Sequence, residues 1–341
     1  MRKVAESAGV SIGTVSRVLN SQPGVSEMTR ERVLAAVQEL NYLVPKRVPI
    51  IRSQVTHLGL LILPLQPDPL TNPFYTDVYH GVEQSCREAH INLSLCALDI
   101  AGDRLRSLPA LTQDDRISGI IMVGAIPLPV LEELSCELMA RRGHNRFPFV
   151  LANNWFAGCP WDAVVIDNAA GVTLALESLF KWGHQQIAFI GGPRHPSILE
   201  RTAAYEKVMQ QHGLNPRIIR ASGLDPQDGE CAVDELLRSS ADATAILCAN
   251  DSQAIGAMRR LKELGHAVPE DFSVIGFDDI HMAELTLPRL TTVRVDRRTL
   301  GRIAVELLSG QLSAPERPTV KSIVGVRLIE RDSVARPRSN E

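Results

Sequence analysis

Residues 4–19, VAESAGVSIGTVSRVL, constrain this chain more than any other stretch. A short amphipathic segment, then Gly9, then a second segment opened by Ser11 spell a compact helix-turn-helix, a unit whose second helix lies in a DNA major groove. The first helix runs from about Arg2 to Ser7, with Val4, Ala5 and Ala8 spaced to face inward and Gly9 supplying the permissive backbone of the turn. Ser11 is placed to cap the second helix by accepting from an orphan amide near Thr14. Val15, Val18 and Leu19 form that helix's buried stripe, which leaves Ile12, Gly13, Ser16 and Arg17 on the outer face or near its N-terminus. After NSQPGVS, Ser26 caps a third helix, with Glu27 and Glu31 near its positive end and Val33, Leu34, Val37 and Leu40 as the apolar stripe.

Charge is divided along the chain in the same sense. The formal net charge of −3 over 341 residues is unpromising for a DNA binder. Residues 1–56, however, carry eight Lys/Arg against four Asp/Glu, while the remainder carries 28 against 35. The six cysteines are scattered with no C-x-x-C, so they read as small core residues of a reducing compartment rather than a disulfide framework or a zinc site. No apolar signal segment opens MRKVAESAG and no apolar run reaches bilayer-spanning length, so a cytoplasmic protein without a membrane partner is expected.

Arg17 is the best candidate for reading a base, because its fork matches O6 and N7 of guanine; a phosphate contact is the alternative. Thr14 and Ser16 suit phosphate contacts, Ile12 suits a thymine methyl, and Gly13 has no side chain with which to read anything. Beyond the head, LVPKRVPIIRSQVTHLG offers Lys46, Arg47 and Arg52 to phosphates and Ile51 as an apolar wedge. Pro45 suits a helix start there, whereas Pro49 falls where an intrahelical amide is wanted.

The head resembles that of the LacI/GalR family of bacterial transcriptional regulators. Its pattern DVAxxAGVSxxTVSRVLN, followed by VSxxTRxRVxxAxxxLxY, is matched from Val4 through Asn20 and again from Val25 through Tyr42. The chain departs from the pattern in starting within the first helix, at Arg2 and Lys3, and in its Pro49-bearing hinge.

From Leu58 onward, apolar strands alternate with amphipathic helices: GLLIL, a helix near Phe74 to His90, LSLCAL, GIIMV, a helix after Pro129, and FPFVLANN. The pattern restarts at VVIDNAAG and runs through a helix over 198–212, a strand near 217–220, AILCAND, a helix over 253–264 and FSVIGFDD. The expected fold is therefore an N-terminal all-α helix-turn-helix head plus an α/β body of two parallel-sheet subdomains. The family resemblance implies that these are interleaved and periplasmic-binding-protein-like. The expected division is a head over 1–44, a hinge over 45–57, a first subdomain over 58–160 and 290–320, a second over 161–289 and 321–332, and a tail over 333–341.

A sugar or nucleoside cleft needs planar hydrogen-bonding groups at strand ends beside an apolar wall. Asn154 with Trp155, Asn250 with Asp251, and Asp278 with Asp279 all end strands. The resemblance assigns effector contacts to Asn250 of the AND segment, Asp278 of GFDD and Arg201 of the ER segment. Arg201 suits a clamp on a carboxylate, phosphate or pair of hydroxyls, and Asp278 an acceptor for two hydroxyls, with an interdomain salt bridge as the alternative. Phe74 of the NPF segment and Trp155 would be apolar walls, or simply core. Asp167 and Asp251 suit helix caps better than ligand contacts.

Gly191-Gly192 lacks the spacing of a phosphate-cradling loop, and no nucleophile or metal-protease motif supports an enzyme or a cofactor. The expected function is a sequence-specific DNA-binding regulator, in the resemblance a repressor. It would bind operator DNA as a homodimer under the control of a small effector such as a sugar, sugar acid or sugar phosphate. The tail has no leucine heptads to build a coiled-coil tetramer. The competing reading is a cytoplasmic carbohydrate-binding protein with a vestigial head, motivated by the clipped first helix and the proline in the hinge.

Overall fold

The computed structural model describes residues 2–19, 25–39, 55–63, 72–142, 147–193, 195–239 and 242–338. The chain divides into two units, residues 1–50 and residues 51–341.

In the first unit, α1 (Arg2–Ala8), α2 (Ile12–Leu19) and α3 (Glu27–Glu39) close a small core of Val4, Ala5, Ala8, Val15, Val18, Val33 and Ala36. Gly9 turns the chain between α1 and α2 at φ +62°, where a side chain would be strained and would also crowd the Arg32 guanidinium. Arg32 reaches back from α3 to donate to the carbonyl of Ala8 at 2.5 Å. Ser11 Oγ accepts from the Thr14 amide at 3.0 Å, as its spacing predicts. The α3 stripe differs from expectation. Leu34 is exposed, whereas Ala36, three residues after Val33 and so on the same helix face, is buried; Leu40 lies outside the described residues.

The second unit begins with β1 (His57–Ile62), α4 (Pro73–Glu88), β2 (Asn92–Ala97) and a small antiparallel pair, β3 (Asp99–Ala101) with β4 (Arg104–Ser107). β5 (Ile117–Val123), α5 (Leu128–Arg142), β6 (Phe149–Ala152) and β7 (Asp162–Ile166) follow. Then come α6 (Asn168–Trp182), β8 (Ile187–Gly191), α7 (Pro196–Gln211), β9 (Arg217–Arg220), α8 (Pro226–Ser239), β10 (Ala245–Cys248) and α9 (Asp251–Glu263). The chain ends with β11 (Ser273–Asp278), α10 (His281–Leu285), β12 (Thr291–Val295), α11 (Arg297–Ser313), β13 (Lys321–Val324) and β14 (Val326–Ile329).

Among the described residues these strands build two six-stranded sheets, ordered β13-β7-β6-β5-β1-β2 and β14-β12-β11-β10-β8-β9. All neighbours are parallel except β12 with β14. Central strands such as β6, β8, β10 and β11 are buried along their whole length, the signature of sheets covered by helices on both faces. The edge strand β2 has no fully buried residue along its length.

Three strands lie in the other lobe from the expected division. β7 and β13 complete the first sheet, whereas β12 joins the second. Each of these segments is apolar enough for either sheet, so hydropathy does not decide membership; backbone pairing does. Val150 registers with Asp162, and Ile275 with Thr291. The lobes therefore interleave through crossovers at Asp167, Asp296 and Gly325. Asp167 and Asp296 cap the helices they precede, accepting from the amides of Ala170 and Thr299 at 3.0 Å each. Of the two aspartates expected as caps, Asp167 is one, whereas Asn250 rather than Asp251 caps α9.

Candidate effector cleft and DNA interface

In each sheet the chain reverses its winding beside one strand: β1 lies between β2 and β5, and β8 between β9 and β10. Helices diverge at such switch points and leave a crevice beyond the strand ends. A cavity of about 450 Å³ opens there between the lobes. Its first-lobe wall is the start of α4, where Asn72 accepts from the amides of Phe74 and Tyr75 at 3.0 and 3.3 Å. Pro73 fixes the first helical residue, and Phe74 and Tyr75 both line the cavity, packed edge to face.

Across the cavity, β8 leads to His195, whose Nδ1 accepts from the Ser197 amide at 3.2 Å and so caps α7. The first turns of α7 present Ser197, Ile198 and Arg201. β10 leads to Asn250, whose Oδ1 accepts from the Gln253 amide at 2.8 Å while its Nδ2 donates to the Leu224 carbonyl at 2.9 Å. β11 ends at Asp278 with φ 112°, a left-handed turn that carries its carboxylate to the cavity floor.

Arg201 and Asp278 meet on that floor at 3.4 Å, both buried. The Arg201 guanidinium lies over the Phe277 ring, 3.6 Å from its centroid, and Nε donates to Asn168 Oδ1 at 2.9 Å. It also donates to the carbonyl of Ala249, so one group ties together the ends of β10, β11 and the start of α6. Burial raises the pKa of Asp278, and the nearby Arg201 and Arg297 charges oppose that rise. The same burial lowers the pKa of Arg201, against the pull of Asp278. The pair is thus held together where each charge is poorly solvated, which strengthens its response to any polar ligand that displaces water.

Tyr75 Oη and His195 Nε2 approach to 3.3 Å across the cleft, first lobe to second. Burial, helped by Arg201, pushes the His195 pKa down to about 4, so the ring is neutral at pH 7. Since Nδ1 accepts from the backbone, Nε2 carries the proton and faces the Tyr75 oxygen. Burial pushes the Tyr75 hydroxyl up to about 12. Arg297 makes a second interlobe tie, donating to Asp77 Oδ2 at 2.9 Å and to the carbonyl of Asp278.

Phe74, Arg201, Asn250 and Asp278 therefore come together around one cavity, and two other expected residues do not. Asn153 takes φ 59° after β6 and lines the cleft itself. That turn sends Asn154 into the first lobe, where it donates to the Ile126 carbonyl at 3.0 Å. Trp155 packs on the first lobe's outer core with Lys321 Nζ 3.5 Å from its ring centroid. Tyr75, His195 and Asn153 were missed. The signal for His195 was its place in GGPRHPS, shortly after a switch-point strand and directly before a proline at a helix start.

In the head, Ser11 and Gly13 are exposed and Thr14 is half-buried, around the α2 face opposite Val15 and Val18. Ile12, Ser16 and Arg17 lie on the described backbone of α2, but their side chains are outside the described residues. Lys46, Arg47, Ile51 and Arg52 fall outside the described residues altogether.

A helix-turn-helix head ahead of two interleaved parallel-sheet lobes with a polar cleft between them defines a ligand-responsive DNA-binding regulator rather than an enzyme. Residues 1–44 match the bacterial regulatory proteins of the lacI family, and residues 176–334 match the periplasmic binding protein-like domain. The ribose operon repressor of Escherichia coli K12 is 33% identical over 343 residues, covering 98% of this chain and 99% of that one. The transcriptional repressor PurR of Vibrio vulnificus is 30% identical over 338 residues, covering 98% of each. Among solved structures, the lac repressor dimer bound to operator and the anti-inducer ONPF superposes with a TM-score of 0.70 at 28% identity, covering 97% of this chain and 98% of that one. A LacI family regulator of Enterococcus faecalis V583 with bound ribose gives 0.69 at 29%, covering 83% and 100%. The chain belongs to the lacI family of bacterial regulatory proteins.

Proposed function

We propose that the chain is a transcriptional repressor that binds a roughly palindromic operator as a homodimer and changes its operator affinity when a neutral sugar occupies the interlobe cleft. The observation that carries the effector class is the charge balance of the floor. Arg201 is already neutralised by Asp278, His195 and the Tyr75 hydroxyl are uncharged at pH 7, and the remaining ionisable group among the described lining residues is the carboxylate Asp225. Among the described lining residues no unpaired cation is left to receive a phosphate or sugar acid. Arg201 and Asp278 together offer donors and acceptors to adjacent hydroxyls, with Asn250 and Asn153 beside them and Phe74 and Ile198 as apolar wall. The relatives that carry ribose in their names or structures support a pentose of this kind.

Effector binding acts on DNA through the relative pose of the lobes, because Tyr75–His195 and the bond from Arg297 to the Asp278 carbonyl are ties that a ligand between the lobes must tighten or break. In the head, Arg17 reads a guanine, while Ser11, Thr14 and Ser16 hold phosphates and Ile12 meets a thymine methyl. In the linker, Lys46, Arg47 and Arg52 hold phosphates and Ile51 wedges into the minor groove. Its work on operator DNA would be done in the cytoplasm. Calorimetric titration of the full chain with ribose, other neutral pentoses and hexoses, and ribose 5-phosphate tests the effector class. A neutral sugar binds more tightly than its phosphate ester; binding of the ester alone contradicts the assignment.

A further inference from the structure

The second lobe's sheet holds a like-charge contact of which one member alone has a carboxylate partner among the described residues. β12 and β14 run antiparallel with Arg294 directly opposite Arg327. Like charges facing each other across such a ladder are destabilising. Both residues line a cavity of about 460 Å³ that shares no lining residue with the effector cleft.

The carboxylates around this second cavity are already engaged. Asp279 is shared by Arg294 and Arg331. Asp77 is shared by Arg297 at 2.9 Å and Arg298 at 3.2 Å. Asp296 is spent on the start of α11, accepting from the amide and hydroxyl of Thr299 at 3.0 and 2.8 Å. Arg327 is exposed and has no carboxylate within ion-pair distance among the described residues. Four arginines face three carboxylates in the cavity wall, with Arg327 outside every ion pair among the described residues, and this leaves positive charge around a space large enough for a small molecule.

We infer that this cavity is an anion site for a phosphate group, held by Arg327, Arg294 and Arg298. Guanidinium forks match phosphate oxygens in geometry, and a dianion removes the repulsion between the two facing arginines. The position gives the site a consequence. Asp296 and Gly325, both in its wall, are crossovers between the lobes. Arg294 and Arg327 stand on the second-lobe sheet, whereas Arg298 lies in the first turn of a helix packed on the first. An anion bridging them fastens one lobe to the other, and so biases the lobe pose from a cavity that does not hold the sugar.

The test is thermal unfolding of the sugar-free full chain in inorganic phosphate and in chloride at matched ionic strength. Glycerol 3-phosphate in a separate arm distinguishes an ester from the free ion. A saturable rise in Tm is expected with at least one of the two phosphates and not with chloride. The rise disappears in Arg327→Gln and in Arg298→Gln and partly returns in Arg327→Lys, while each variant keeps the wild-type circular dichroism. An equal rise with chloride, or an undiminished phosphate response in either glutamine variant, overturns the site.

Discussion

Replacing Arg201 by alanine removes the group on which the cleft floor is built. In the native chain its guanidinium donates to Asn168 Oδ1 at 2.9 Å and to the Ala249 carbonyl, pairs with Asp278 at 3.4 Å, and stacks on Phe277. Truncation leaves a buried carboxylate with only the more distant Arg297 charge to stabilise it, and breaking a buried ion pair on one side costs roughly 3–5 kcal/mol. Part of this cost depends on pH. The folded-state pKa of Asp278 is already raised by burial, and losing Arg201 raises it further. A raised folded pKa means that stability is present below the unfolded value near 3.8 and is lost as pH rises through the folded value. The defect of Arg201→Ala is therefore largest at neutral pH and shrinks on acidification. Urea unfolding followed by tryptophan fluorescence at pH 7.5 and pH 5 measures both. In Arg201→Ala/Asp278→Ala the loss should fall short of the sum of the single losses by about 0.5–3 kcal/mol, the coupling expected of residues in contact. A loss below about 1 kcal/mol at pH 7.5, or strict additivity of the two variants, refutes the reasoning.

Three further outcomes are expected. His195 has its folded pKa depressed from 6.5 to about 4, so its contribution is complete above pH 6.5 and is lost as pH falls toward 4, by about 3 kcal/mol at most. His195→Asn, which retains an acceptor for the Ser197 amide, should lose less stability than wild type between pH 7.5 and 4.5; parallel pH profiles in chemical unfolding would discount the buried neutral ring. Gly301→Ala places a Cβ 2.2 Å from the Val78 carbonyl oxygen, so α11 and α4 must part, at roughly 1–3 kcal/mol. A calorimetric Tm equal to wild type would show that the two helices are not in that contact. Arg17→Ala should weaken specific operator binding by roughly 1–3 kcal/mol and relax discrimination at one base pair. Equal losses on operator and random DNA, measured by gel shift at fixed salt, would reassign it to a phosphate.

Local patterns in the sequence carried the head and most of the body. The spacing of Val4, Ala5, Ala8, Val15 and Val18 marks a core that three short helices indeed enclose. The alternation of apolar runs with amphipathic segments marks βα units, because helices covering both faces demand continuous apolar strands. Sheet membership was not legible at β7, β12 and β13, since the choice between two sheets is made by long-range pairing and not by the strand's own composition. The site was legible where family motifs mark helix starts and strand ends, at Phe74, Arg201, Asn250 and Asp278. It was misread at Asn154 and Trp155 because one left-handed residue, Asn153, turns the chain and exchanges which side chain faces the cleft. The Tyr75–His195 contact escaped notice because residues 120 positions apart leave no local trace of their pairing, although GGPRHPS marks His195 as a helix start after a strand.

Fluorescence anisotropy of labelled operator DNA, titrated with protein in the presence and absence of the neutral sugar found by calorimetry, measures the link between cleft and head directly. Sugar should shift the operator Kd of the wild-type chain, whereas Asp278→Asn should bind operator with near-native affinity and fail to respond. A sugar-dependent shift of the same size in Asp278→Asn would contradict the account, because it would mean that the signal to the DNA does not pass through the Arg201–Asp278 floor.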